Sequence, residues 1–285
     1  MESYSRRNFL RTLALGVCAL PASRALAAMG KDLGMHPSTP VVTFDSPPPA
    51  AIPATAPTAP AAPSLAPAFT RAAISTPELS LTFDDGPHGT LTPRLLDILK
   101  ERRAKATFYV IGQNVEAYPD IARRIVEEGH EIANHTWTHP ALSGLSAGRV
   151  AEELRKTHEK VREVTGVTMT NLRPPYGAVN DMVRKVAFDE FGYITVLWSV
   201  DPMDWKYRNA ARVNRQLVQG AAPGAVLLCH DIHKTTVAAI PPTLDQIAAK
   251  GFSLLTIDQL LARDESGRLD SNQRPPAPKA GALPS

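Results

Sequence analysis

Two adjacent carboxylates, Asp84 and Asp85, close the run Leu81-Thr82-Phe83-Asp84-Asp85-Gly86-Pro87. Neighbouring acids repel, so a site that keeps both ionised needs a cation nearby, or one of them holds a proton. An Asp-Gly pair is also an ordinary surface turn, and the heptapeptide alone does not separate the two readings. Further along, His135 and His139 stand four apart in His135-Thr136-Trp137-Thr138-His139, a spacing at which two imidazoles can face one cation from a helical turn. With a carboxylate from another strand end they make a two-histidine, one-carboxylate set. Such a set leaves coordination positions open for water and substrate, as catalytic zinc sites do; non-haem iron and other first-row ions take the same ligands. Water on such an ion has a depressed pKa and attacks near neutral pH. One acid can then ligate while the other stays free as a base. Arg173 could pair with the free acid and hold it ionised, or form a purely structural ion pair. His230 ends an apolar run and could protonate a leaving group, although a histidine there also suits a satisfied core position.

These groups must be carried by regular elements. Strand-like runs fall at 79–83, 106–111, 131–134, 171–173, 193–200, 225–229 and 252–255. Helical patterns separate them at 92–102, 119–128, 146–165 (capped by Ser146 and stopped by Gly166), 180–190, 209–219, 244–250 and 257–262. Strands alternating with helices predict a parallel sheet with right-handed crossovers. In that architecture chemistry sits on loops at the C-terminal ends of strands. The unusual polar residues lie there: Asp84-Asp85, the His135–His139 loop, Arg173-Pro174-Pro175-Tyr176-Gly177, Asp201-Pro202-Met203-Asp204-Trp205 and His230-Asp231.

The flanks of the 285-residue chain read differently. Residues 1–27 carry the pair Arg6-Arg7, an apolar run from Leu13 to Leu20 and a small-x-small site at Ala25-Leu26-Ala27. This predicts a signal peptide of the twin-arginine kind and export to the periplasm or beyond. The apolar run is too short to span a bilayer as a stable helix, so no membrane span is expected in the mature protein. The formal charge of +3 owes much to this leader, which holds four Arg and one Glu; the rest has 27 basic and 27 acidic residues. Nucleic acid is therefore not an expected partner. Only Cys229 survives leader removal, so no intrachain disulfide is expected, and it reads as a buried small hydrophobe rather than a nucleophile. Residues 28–77 read as a Pro/Ala-rich linker, largely disordered, with eleven of the 26 prolines between His36 and Pro77. Residues 78–265 form the expected single catalytic domain, and 266–285 a disordered tail. A monomer is expected.

The clusters Thr82-Phe83-Asp84-Asp85, His135-Thr136-Trp137-Thr138-His139, Arg173-Pro174-Pro175-Tyr176, Asp204-Trp205 and Leu228-Cys229-His230, in this order, resemble the five motifs of the NodB-homology polysaccharide deacetylases, carbohydrate esterase family four. The similarity covers about Glu78 to Ala262. It implies an α/β fold, a distorted and incomplete (β/α)7 barrel. It implies that Asp85, His135 and His139 bind one divalent ion, usually zinc, sometimes cobalt or another first-row ion. By the same resemblance Asp84 is the base that activates a water on the metal, and Arg173 orients Asp84. The metal and the Tyr176 N–H stabilise the oxyanion. His230, tuned by Asp204, protonates the departing amine, and Trp205 and Leu228 receive the acetyl methyl group. The implied reaction removes N-acetyl groups from N-acetylglucosamine units of a polysaccharide. Peptidoglycan is the first expectation, because Asp231-Ile232-His233-Lys234-Thr235-Thr236-Val237 is similar to members that act on it; His233 is a rim substrate contact or a solvated loop residue. Chitin oligosaccharides, poly-N-acetylglucosamine and acetylated xylan are alternatives. An inactive glycan-binding module would have lost Asp84 or a ligand, and an iron-dependent oxygenase set usually sits on a β-barrel rather than an alternating fold.

Overall fold

Apolar residues spaced by two, then by three and four, give alternating strands and helices. In chain order these are β1 (Glu78–Asp84), α1 (Leu91–Glu101), β2 (Thr107–Val110), α2 (Gly112–Ala117), α3 (Pro119–Glu127) and β3 (Glu131–Asn134). Next come α4 (Ala147–Thr165), β4 (Asn171–Leu172), α5 (Asp181–Phe191), β5 (Ile194–Thr195) and α6 (Asp204–Tyr207). The last are α7 (Ala210–Gly220), β6 (Val226–His230), α8 (Lys234–Ala249), β7 (Ser253–Leu254) and α9 (Ile257–Arg263). The computed structural model describes residues 67–264. The expected signal peptide, most of the expected linker and the expected tail lie outside the described residues.

The strands pair in parallel in the order β5-β4-β3-β2-β1-β6, with β7 on the first residues of β1. β1 lies between β2 and β6 and is buried from Leu79 onward, as an interior parallel strand must be. Its two faces do different work, because successive side chains alternate. Leu79, Leu81 and Phe83 join the main core with Leu95, Leu96 and Leu99 of α1. Phe83 stacks on Phe108 with ring centroids 5.4 Å apart. Each such side chain contributes about 1.5–3 kcal/mol on burial. Ser80, Thr82 and Asp84 alternate with them on the opposite face of the strand, and Thr82 and Asp84 meet Arg173 there. The sheet curls into a half-barrel, and its strand ends set the site along one rim.

The gap between β5 and β6 is closed in a way the composition hides. Phe69 N–H donates to Thr195 O at 2.8 Å, Leu197 N–H to Phe69 O at 2.7 Å, and Ala72 N–H to Gly224 O at 3.0 Å. Phe69 and Ala72 are buried. The fold thus takes in residues from Phe69 onward that the Pro/Ala-rich pattern assigns to a linker ending at 77. Gly224 accepts this close approach because it has no side chain: a Cβ there would lie 2.0 Å from Ala72 O. The run at 193–200 is also less regular than expected. Only Ile194–Thr195 form a ladder, and Val196 and Val200 pair by single bridges with Phe69 and Leu227.

Helix boundaries follow their caps. Asn180 and Asn209 accept N–H bonds from Val183 and Arg212, and Thr256 forms a capping box with Gln259. Ser146 holds the N-cap position of α4 but makes no side-chain cap bond. Gly166 ends α4 at φ 74°, a left-handed conformation that glycine adopts without strain. α8 begins ten residues before the expected Leu244 and runs through Pro241 and Pro242. Two prolines remove two helical donors, which is why the pattern reads as a break; buried Val237, Ile240, Leu244 and Ile247 hold the turn-spaced face regardless. No helix among the described residues is long and apolar enough to cross a membrane.

Candidate active site

Asp84 is the last residue of β1, and Asp85 turns off the strand at φ 74°. This left-handed step sends the two carboxylates in different directions. Asn114 Nδ2 holds the Asp85 carbonyl at 2.8 Å, and Ile111 N–H holds that of Gly86 at 2.9 Å. Gly86 is required here, since a Cβ would lie 2.4 Å from Oδ2 of the buried Asp231. Burial and the Asp85 charge push Asp231 up to about 7, and the Thr92 hydroxyl that bonds it opposes the shift.

The Asp85 side chain faces both histidines. Its Oδ1 lies 3.4 Å from His135 Nε2 and 3.1 Å from His139 Nε2. Among the described residues these three form the group whose ligand atoms lie within 4.8 Å of one another. His135 Nδ1 is 2.7 Å from Arg173 O, which only accepts. The proton is therefore on Nδ1 and Nε2 presents a lone pair. Among the described residues no hydrogen-bond donor reaches the buried Asp85 Oδ1. The electron pairs of His135 Nε2 and Asp85 Oδ1 thus meet as ligands of a shared cation do, and two imidazoles with one carboxylate fit a divalent first-row ion. His139 Nδ1 lies 3.2 Å from the Tyr176 hydroxyl.

Asp84 is turned to Arg173 instead, with Nη1 to Oδ1 at 2.7 Å and both side chains almost wholly buried. The guanidinium is fixed by three further contacts: Thr82 Oγ1 at 2.7 Å, Leu197 O at 3.0 Å and the Tyr109 ring at 4.0 Å. Asp84 Oδ2 stays 3.8 Å from His135 Nε2, close to the triad but longer than either Asp85 distance. Tyr176 has φ 60° in the one-turn helix Pro175–Gly177.

Across the rim, His230 Nδ1 donates to Asp204 Oδ1 at 2.8 Å. Asp204 Oδ2 accepts the His230 N–H at 2.8 Å and the Thr236 hydroxyl at 2.7 Å, and Oδ1 accepts the Trp205 N–H at 2.9 Å. Burial acts to lower the His230 pKa, but the hydrogen bond and charge of Asp204, with Asp84 and Asp85 behind, push it up to about 9. Burial acts to raise that of Asp204, and His230 and Thr236 outweigh it and bring it down. Cys229 is buried and its thiol is pushed up, first by burial. His233 stands at the N-cap position of α8 without a side-chain cap bond, its ring 5.9 Å from that of His230.

One cavity of about 520 Å³ is lined by Asp84, Asp85, His135, His139, Tyr176, Trp198, Asp201, Trp205, Leu228 and His230. Eight of the ten residues expected from the sequence thus face one space. The other two, Arg173 and Asp204, sit behind it and bond residues that do. Sequence reasoning singles out the runs that hold Thr82, Asp201 and Thr236 without giving these residues a role, and it misses Glu153 and Trp198. Glu153 left a trace: it falls three residues after buried Val150 on the apolar face of α4, where an acid is out of place.

The polysaccharide deacetylase family model matches residues 72–194. A peptidoglycan-N-acetylglucosamine deacetylase of Bacillus cereus is 38% identical over 192 residues, covering 64% of this chain and 87% of its own. The peptidoglycan-N-acetylglucosamine deacetylase PgdA of Listeria monocytogenes is 45% identical over 182 residues, 64% of this chain. The chain spans 38% of the length of PgdA. Among solved structures, peptidoglycan deacetylase PdaC from Bacillus subtilis matches with TM-score 0.62 and 35% identity, covering 66% of this chain and 93% of its own. A further neighbour, BA3943 from Bacillus anthracis, is described as a CE4 family pseudoenzyme; it has TM-score 0.65 and 29% identity, with 68% of each chain covered. By sequence and by fold, the chain belongs to the polysaccharide deacetylase family.

Proposed function

We propose that this chain is a metal-dependent hydrolase that removes N-acetyl groups from N-acetylglucosamine units of peptidoglycan. The convergence of the Asp85–His135–His139 triad, the Arg173-bound Asp84 and the Asp204-bound His230 on one cavity carries the reading. Asp85, His135 and His139 would hold the ion, for which zinc is the first choice on ligand type. The bound ion would polarise the acetyl carbonyl and lower the pKa of a water. Asp84 takes a proton from the attacking water, and Arg173 aims its carboxylate. The Tyr176 N–H donates to the developing oxyanion. The water oxygen bonds the acetyl carbon first; the C–N bond then breaks as the C=O re-forms and His230 delivers its proton to the departing nitrogen, leaving acetate and a free amine. Asp204 holds the imidazole by Nδ1, so Nε2 is the nitrogen that gives up the proton. Trp205 and Leu228 wall the space for the methyl group.

The B. cereus and L. monocytogenes relatives support peptidoglycan as the polymer and therefore action outside the cytoplasm. We assign export to the twin-arginine leader at residues 1–27, and a spacer role to the Pro/Ala-rich stretch that follows it. The test is acetate release from purified peptidoglycan, chitin oligomers and acetylated xylan in parallel. Fastest release from peptidoglycan supports the assignment. Faster release from either other polymer moves the substrate. Silence on all three, by protein with metal bound, sinks the enzyme and leaves a glycan-binding module.

A further inference from the structure

The loop between the two histidine ligands is held in an unusual way. Thr136 and His139 both lie in the left-handed region, at φ 70° and 63°. Non-glycine residues keep that conformation only where their surroundings impose it. The loop's polar groups are nearly all accounted for within the chain. Asn134 Oδ1 accepts from Thr136 N–H at 2.8 Å, and Thr136 Oγ1 accepts from His139 N–H at 3.0 Å. The first N–H groups of α2 bind outward-turned carbonyls, Gly112 to Thr136 at 2.9 Å and Gln113 to Trp137 at 3.3 Å. The two remaining N–H groups, of Trp137 and Thr138, converge on Oε2 of Glu153 at 3.0 and 2.8 Å. Oε1 of the same carboxylate takes the Thr138 hydroxyl at 2.9 Å. Glu153 is buried on α4, and no cation among the described residues pairs with it.

We infer that Glu153 is a positioning residue for the metal triad. Its carboxylate grips the middle of the loop from behind, and this sets the separation and aim of His135 and His139, and through them the affinity for a divalent ion. The inference rests on reading the triad as a metal site. A second layer that fixes ligand geometry typically governs affinity by a factor of roughly 10 to 100. Here that layer acts on the backbone between the ligands, in addition to the Arg173 carbonyl and Tyr176 hydroxyl on the rings.

Three variants separate grip from charge. Glu153→Asp keeps the charge but withdraws the carboxylate by one methylene, beyond reach of both N–H groups. Glu153→Gln keeps the reach: its carbonyl oxygen accepts both N–H groups, and its amide donates to the Thr138 hydroxyl, which can accept. Glu153→Ala removes the grip. Metal affinity is read by competition with a chromophoric chelator, and ligand geometry by the visible spectrum of the cobalt-loaded protein. We expect the Asp and Ala variants to bind the ion roughly 10- to 100-fold more weakly with an altered cobalt spectrum, and the Gln variant to stay within a few-fold of wild type. If the Ala variant does not fold, the Asp and Gln pair carries the comparison. A folded Asp variant with wild-type affinity and spectrum overturns the inference. So does equal loss in the Gln variant, which would make charge rather than grip the cause. A wild-type chain that binds no ion fails the metal reading itself, a different result from either.

Discussion

The two acids at the end of β1 have equal charge and adjacent positions, yet different partners. Asp85 faces two imidazoles, and Asp84 faces a guanidinium. Asp84→Asn should therefore retain metal and lose acetate release by two orders of magnitude or more, in line with ~10²–10⁴-fold for a general base. Asp85→Asn should lose the metal, and metal analysis of the two purified variants decides between them; metal lost from the first and kept by the second reverses the assignment. The pH profile tests the opposite side of the cavity. A proton donor works only while protonated, and the Asp204 carboxylate keeps His230 protonated up to about 9. Activity should fall as pH rises through that value. Asp204→Asn removes the largest upward influence and leaves burial, which lowers the pKa, so the alkaline limb should move to lower pH. An unmoved limb excludes His230 as the acid. Asp84, Asp85, His135, Arg173 and His230 stood out in the sequence because each closes or follows a strand-like run, whereas Tyr176, Asp204, Trp205 and Leu228 took their roles from the family resemblance. Which acid faces the histidines was not legible, because it depends on the φ of Asp85. Glu153 and Thr236 escaped because their partners, the His135–His139 loop and Asp204, lie far along the chain and meet them only after folding.

At the level of elements, most boundaries were readable from caps and periodicity, while the docking of α9 was not. Its first N–H groups are received by side chains of the sheet: Ile257 by Thr107 Oγ1 at 2.9 Å and Asp258 by Glu131 Oε2 at 3.1 Å. This satisfies donors that a helix start leaves open. Burial, then the charge of Asp258, pushes the Glu131 pKa upward, against the bonds from Thr107, Asp258 N–H and Asn171. The folded chain thus holds a proton that the unfolded chain releases above the ordinary value of 4.5. By linkage, this group's contribution to stability falls as pH rises through the range between the two pKa values. Glu131→Gln mimics the protonated form, so chemical unfolding across that range should show a smaller loss of stability than in wild type. A steeper loss would mean that Glu131 is ionised in the folded chain. The early start of α8 was masked by Pro241-Pro242, since proline is read as a stop although a buried apolar face can carry a helix through it.

For the whole molecule, the half-barrel depends on residues that composition assigns to a linker. Phe69 is buried between the chain after β5 and the start of β6, and bonds Thr195 and Leu197 on one side. Phe69→Ala should destabilise by about 3 kcal/mol, the low end for a buried aromatic truncation. A chain beginning at residue 78 should melt at lower temperature than one beginning at 67; equal melting would return this segment to the linker. The general α/β architecture was legible from the alternation of periods, but its closure was not. It uses a few single bridges rather than a strand with its own pattern. One measurement reaches the central chemistry: acetate released from purified peptidoglycan before chelation, after it, and after return of a divalent ion. Release that stops on chelation, returns with the ion and matches new free amines mole for mole is the predicted result. Release indifferent to chelation, or none from protein with its ion bound, would contradict it.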